Sequence, residues 1–205
     1  MAILNLNTWV VKLGGALLRT DALVPWLDAI VAAGKRHSIV IVPGGGAFAD
    51  VVRDLDQRWP MTPQCAHRLA IDAMGLNARV LADLRPELPV TATWAELGRN
   101  KVGVEIWRPD GAAADQRLPH DWSVTSDSIA LALAGYLSAR GLVLVKSLER
   151  VQGWPDSSAL SADRVIDSFF PALLRRVAIP SYILGQSAFA QLIDVFRGGN
   201  EMRIR

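Results

Sequence analysis

Residues Ile39–Asp50 read IVIVPGGGAFAD. Four β-branched residues, a proline and three consecutive glycines lead into a run with helical character. A strand of this kind predicts burial, and glycines at its end predict a turn where bare backbone is needed. Outward from that stretch, short apolar runs alternate with helical periodicities. Upstream, TWVVKLGGALL (8–18) is a strand ending at Gly14-Gly15, and DALVPWLDAIVAAGKR (21–36) is a helix with Gly34 as its C-cap. Downstream, AFADVVRDLDQRW (47–59) is periodic through Phe48, Val52 and Leu55. PQCAHRLAIDAMGLNARVLADL (63–84) is a long helix stopped by Arg85-Pro86. LPVTAT (88–93) and KVGVEIWRPDG (101–111) are strands, the latter closed by a turn at Asp110-Gly111.

The second half repeats the alternation. SVTSDSIALALAGYLSARG (123–141) is a helix capped by Thr125 or Ser126 and ended by Gly141. LVLVKS (142–147) is a strand, and LERVQGWPDSSALSADR (148–164) is a long irregular stretch suited to a lid or a nucleotide-facing loop. VIDSFFPALLRRV (165–177) is helical, IPSYILG (179–185) is a strand, SAFAQLIDVFRGG (187–199) a helix and NEMRIR (200–205) a closing strand. The pattern predicts an α/β fold: a three-layer αβα sandwich with a largely parallel open sheet in a single domain, 1–205. Ligands of such sheets bind outside the carboxyl ends of the strands.

Composition narrows the classes. Of 205 residues, 51% are hydrophobic and 20% charged, with a net charge of +2, which excludes disorder and a dedicated nucleic-acid surface. The lone cysteine, Cys65, fits a reducing compartment and is expected to be buried. No leader pattern opens the chain and no apolar run is long enough for a membrane span, so the expected location is cytoplasmic.

Chemistry gathers at three strand ends. Lys12 lies two residues before Gly14-Gly15, Gly44-Gly45-Gly46 lead into a helix, and Asp127 stands at a helix start. Consecutive glycine N–H groups with a helix N-terminus behind them suit phosphate oxygens. A neighbouring lysine supplies a point charge, and phosphoryl transfer asks mainly for positioning and charge neutralisation. Each piece alone has a plain structural reading: a tight turn, close packing, a snorkelling lysine or a dipole-facing acid. Neither G-x-x-x-x-G-K-[ST] nor G-x-G-x-x-G is present, which disfavours an ordinary P-loop NTPase or a dehydrogenase.

Taken in order, VVKLGGALL, IVIVPGGGAFAD, VTSDSIALALA, LVLVKS and the closing YILG…FRGGNEMRIR resemble the amino acid kinase superfamily over nearly the whole chain. The resemblance implies an ATP-dependent kinase with Mg²⁺, a small-molecule phosphoryl acceptor and a homo-oligomer. It implies an acceptor lobe over about 1–115 and a nucleotide lobe over about 116–205. Lys12 would then steady the phosphoryl group in transfer, Asp127 would orient the lysines, and Lys146 would be a second cation beside the nucleotide. Gly14 and Gly15 would donate to ATP phosphates, while Gly44, Gly45 and Gly46 would line the acceptor side.

Two departures stand out. Ala16 replaces the serine of K-x-G-G-S, and Lys146-Ser147-Leu148-Glu149-Arg150-Val151 replaces the usual T-D-x-x-G-[VL] run. They leave open a second reading, a non-catalytic nucleotide-sensing protein on the same fold. Within the superfamily, GGGAFAD, AHRLAIDAM and SYILG are most similar to the [5-(aminomethyl)furan-3-yl]methyl phosphate kinase group of methanofuran biosynthesis. That reaction turns a phosphomonoester into a diphosphate, and a phosphate nucleophile needs no general base. UMP or an amino acid remains an alternative acceptor. Arg53, Arg68 and His67 are candidates for an acceptor phosphate, Asp50 and Asp72 for an acceptor ammonium. One of the seven tryptophans is a candidate to stack on a ring, core or interface packing being the default.

Overall fold

A computed structural model describes residues 8–98, 102–111, 118–149 and 156–205. Six strands form one sheet: β1 Thr8–Leu13, β2 Ser38–Pro43, β3 Val90–Thr91, β4 Gly103–Trp107, β5 Gly141–Val145 and β6 Ser181–Leu184. Their order is β3-β4-β2-β1-β5-β6 and every pairing between them is parallel. The helices are α1 Leu23–Gly34, α2 Gly46–Arg58, α3 Pro63–Leu84, α4 Ser126–Tyr136, α5 Ser157–Ala162, α6 Phe170–Val177 and α7 Leu192–Phe196.

β1 and β2 are buried along their whole length, as their largely apolar runs require. The period of two divides each strand between two cores. Trp9, Val11 and Leu13 pack with Ile39, Ile41, Val143 and Val145 against Leu27 and Ile30 of α1. Val10, Val40, Val42, Leu142 and Leu144 pack on the other face, against α4 and against Phe170 and Leu173 of α6. Lys12 shares the parity of Val10, and Lys146 that of Leu144. The β1–β5 register sets Lys12 opposite Leu144. Strand alternation alone therefore sends both lysines to the α4 side at the carboxyl end of the sheet.

Several expectations need correction. Gly34 is the last residue of α1 and not its cap; a Cβ there would overlap the Val104 side chain. Gly141 opens β5, because α4 already stops at Tyr136 and the chain turns through Ser138 at φ +49. The 148–164 stretch contains α5, whose cap Asp156 accepts from the N–H groups of Ser158 and Ala159; residues 150–155 of that stretch lie outside the described residues. The helix expected over 187–199 reduces to a 3-10 turn, Phe189–Gln191, and the five-residue α7. NEMRIR makes only an isolated antiparallel bridge, Arg203 to Tyr182. The periodic apolar residues of α2 do not enter a core: none of its residues is buried, and Phe48 and Leu55 are 45% and 47% exposed. Cys65 is free and exposed rather than buried. The expected boundary between the lobes, near 115, falls within residues 112–117, which also lie outside the described residues.

Candidate active site

β1, β2 and β5 end beside one another, and two glycine turns close their ends. A Cβ on Gly15 would overlap the backbone of Gly46, and one on Gly44 would come within 2.5 Å of Gly15 N. Gly46 holds φ +51 and a Cβ there would lie 2.6 Å from Gly15 O. The two turns thus touch backbone to backbone, and only glycine permits that approach. Asn77 of α3 buttresses the clasp by donating from Nδ2 to the carbonyls of Gly44 and Gly45, at 2.7 and 2.9 Å.

Lys12 and Asp127 meet behind this clasp, 4% and 3% exposed. Lys12 Nζ stands 2.9 Å from Asp127 Oδ1, and Lys146 Nζ donates to Oδ2 at 2.6 Å. Burial pushes the Asp127 carboxyl up, but the two ammonium groups outweigh it and hold the pKa at about 2. Burial pushes Lys146 down, and the Asp127 charge opposes that shift. One carboxylate thus holds two ammonium groups together at the junction of the strand ends.

Asp127 is placed by its helix. Thr125 is the cap of α4, and its Oγ1 accepts from the Asp127 N–H at 3.4 Å. Asp167 then ties α4 to α6. Its carboxylate accepts from Thr125 N, Thr125 Oγ1, Ser128 N, Ser128 Oγ and Phe170 N, at 2.6–3.0 Å. Burial and then the Asp127 charge push the Asp167 carboxyl up, against these donors.

Two cavities meet at the lysines. The larger, about 550 Å³, is lined on one side by Gly45, Gly46, Arg53 and His67 and on the other by Thr125 and Asp167. The smaller, about 290 Å³, is bordered by Gly14, Ser147, Leu148 and Asp163. Lys12, Gly15, Ala16 and Lys146 border both. Gly15 and Ala16 open a 3-10 turn, Gly15–Arg19, so their N–H groups have no partner within it. Such a junction of N–H groups and cations is suited to binding two phosphate-bearing molecules end to end.

Most expected site residues converge here, but four do not take the role expected of them. Gly14 spends its N–H on the Val145 carbonyl at 2.9 Å, which extends the sheet. Gly44 donates to the Leu13 carbonyl at 2.8 Å and joins β2 to the β1 turn instead of lining the larger cavity. Asp72 accepts from Gly111 N at 2.6 Å, a structural task, and Arg68 packs its Cβ by the same glycine. Asp50 lines the larger cavity and pairs with Arg53 at 2.8 Å. The Arg53 guanidinium also lies 4.7 Å from the centre of the Trp122 ring, and Trp122 Nε1 donates to Asp56 at 2.7 Å. His67 is buried and stacks on His120 at 4.9 Å; burial first, then His120, pushes its pKa down, so it is neutral near pH 7. Trp26, Trp107 and Trp9 are core residues, Trp59 is exposed, and Trp154 lies outside the described residues. Asp167 and Asn77 were not legible as site residues, because their main partners lie far away in the chain, and Trp122 was marked only as one of seven tryptophans.

The fold and this junction define a phosphoryl-handling α/β protein of the amino acid kinase type. The sequence pattern of the amino acid kinase family matches residues 7–158. The chain belongs to the amino acid kinase family and is a phosphotransferase. It is 28% identical to the [5-(aminomethyl)furan-3-yl]methyl phosphate kinase of Methanocaldococcus jannaschii, over 92% of this chain and 93% of that protein. It is 23% identical to the uridylate kinase of Pyrococcus abyssi, over 92% and 94%. The uridylate kinase structure from Archaeoglobus fulgidus superposes with a TM-score of 0.72 at 15% identity, over 97% of this chain and all of that one.

Proposed function

We propose that the protein transfers the γ-phosphoryl group of Mg·ATP to the phosphate of a small phosphomonoester. The acceptor that the resemblance and the aminomethylfuran phosphate kinase relative support best is aminomethylfuran phosphate, giving its diphosphate. The observation that carries the reading is Asp127 bridging Lys12 and Lys146 where the two cavities meet. ATP lies with its phosphates at Gly15, Ala16 and Lys146, and the acceptor lies against Gly45, Gly46, Arg53 and His67. The lobes of about 1–115 and 116–205 are then the acceptor and nucleotide sides of one sheet. Mg²⁺ arrives on the ATP phosphates as part of the substrate, because Asp127 and Asp167 are already committed to lysines and N–H donors.

An acceptor phosphate is itself the nucleophile, its second pKa being about 6. Its oxygen bonds to the γ-phosphorus while the bond to the β–γ bridging oxygen breaks, and the electron pair leaves with ADP. Lys12 and Lys146 face the charge that spreads over the group in transit. Neutral His67 donates or accepts a hydrogen bond on the acceptor without adding charge.

The exposed apolar residues of α2, among them Phe48, Val51 and Leu55, together with Trp59 just beyond its end, support a homo-oligomer. The free Cys65 supports a reducing, cytoplasmic setting. No helix among the described residues is long and apolar enough to cross a membrane.

The test is ADP release from Mg·ATP with aminomethylfuran phosphate, UMP, aspartate and acetylglutamate offered separately. Turnover with aminomethylfuran phosphate, lost by at least about 10³-fold in Lys12→Ala, is the expected result. Selective turnover of UMP would replace the acceptor and keep the chemistry. ATP binding without turnover of any acceptor would instead favour a nucleotide sensor.

A further inference from the structure

Lys12 and Lys146 at the wall between the cavities are already engaged by Asp127, but Arg164, which also lines both cavities, is engaged by nothing described. Among the described residues its side chain has no hydrogen bond or ion pair, and the residue is exposed. Its backbone adopts φ +57, a conformation that residues with side chains seldom take. The turn around it is pinned on both sides. Arg164 N donates to Ser161 O at 3.0 Å and Val165 N to Leu160 O at 2.8 Å. Three residues on, Asp167 is fixed to α4 and α6 by the five bonds described above. A left-handed arginine held this firmly presents an unpartnered cation where two phosphate-binding spaces join.

Charge and geometry say what it would serve. The two lysines and Asp127 leave one net positive charge at the junction; Lys146 already donates to the carboxylate and Lys12 is already ion-paired with it. A phosphoryl group in transit carries negative charge on three equatorial oxygens. A guanidinium offers parallel N–H donors that match two such oxygens, which an ammonium does not. We propose that Arg164 is a third cation of the transfer step, donating hydrogen bonds to the phosphoryl group as it passes from nucleotide to acceptor. The inference rests on the kinase reading. Arg164 gives up no proton; its N–H groups shorten onto oxygens whose charge grows as the bond to ADP breaks.

Calorimetric titration of the full chain with Mg·ADP, and with Mg·ADP plus aluminium fluoride as the phosphoryl mimic, separates ground-state binding from the transferring group. Arg164→Gly is the informative variant, because it deletes the side chain while permitting the positive φ. Its melting temperature is expected to equal or exceed that of the wild type. The wild type should bind tighter when fluoride is added. Arg164→Gly should lose that gain by about 30-fold while its Mg·ADP affinity stays within about twofold, and Arg164→Lys should recover only part. Equal weakening of both titrations would make Arg164 a nucleotide contact and overturn the proposal. Full fluoride tightening in Arg164→Gly or Arg164→Lys would overturn it too, as would no tightening in the wild type. A wild-type protein that binds no Mg·ADP at all would defeat the kinase reading and the inference together.

Discussion

Helices α2 and α4 both begin at the larger cavity, yet they are anchored by opposite means. α4 starts on a side-chain cap, is tied at its first turn by Asp167, and buries every residue from Asp127 to Ala134. α2 starts on glycine with no side-chain cap and buries none of its residues. Its entry is held instead by the backbone clasp with Gly15 and by Asn77. Burial and hydrogen bonding of this density place the α4 start among the most stable parts of such a fold, and α2 among the least. The group that orders the lysines thus sits on the fixed wall. The wall proposed to meet the acceptor, with Asp50 and Arg53, is the one whose side chains are exchanged most cheaply.

The comparison breaks first at Asp127. Asp127→Asn leaves Lys12 and Lys146 buried without a counter-charge and is expected to cost about 3 kcal/mol in urea unfolding, with turnover down by at least about 10³-fold. A variant of wild-type stability would mean that α4 is not held as described. The same group gives an acid limb. Its folded pKa, about 2, lies below its ordinary 3.8, so the stability it contributes is whole above that ordinary value and is lost as pH falls toward 2. Unfolding curves between pH 5 and 2 should show the loss in the wild type and lack it in Asp127→Asn.

Gly15→Ala comes next. Its Cβ would overlap Gly46, and because both partners are backbone the clasp must open. About 2–3 kcal/mol of stability should go, with the KM values for both ATP and the acceptor rising. A rise confined to ATP would place the clasp on the nucleotide side alone.

How much of this was legible depends on how far each residue reaches. Lys12 and Lys146 declare themselves by standing at the ends of apolar runs, and strand parity puts them on one face. Thr125 and Asp127 carry the signature of a helix start. Arg164 and Asp167 sit just after a stretch without periodicity, so nothing local marks them. Their meaning comes from α4 and from the β1 turn, each reached only through the fold. The triple glycine was legible as a need for bare backbone, but its neighbour was not: the backbone of Gly15 packs directly against Gly44 and Gly46. For α2, periodicity correctly indicated a helix and misplaced its apolar side, since the rhythm of a sequence does not distinguish a core from an open surface.

The smallest expected effect belongs to that surface. Leu55 is 47% exposed, so Leu55→Lys should leave monomer stability within about 0.5 kcal/mol of wild type. Light scattering should nevertheless show a smaller assembly. An unchanged assembly would mean that α2 faces solvent and that the oligomer, if formed, uses another surface.

Asn77 has a consequence beyond bracing. In every peptide unit the carbonyl and the following N–H point in opposite directions, so fixing one aims the other. By holding the carbonyls of Gly44 and Gly45, Asn77 aims the N–H groups of Gly45 and Gly46 away from itself, on the two glycines that line the larger cavity. A glycine peptide is otherwise free to turn over, and a turned peptide would show an incoming anion an oxygen in place of a hydrogen. One buried amide, outside the cavity and touching nothing that enters it, thereby fixes the polarity of its glycine wall.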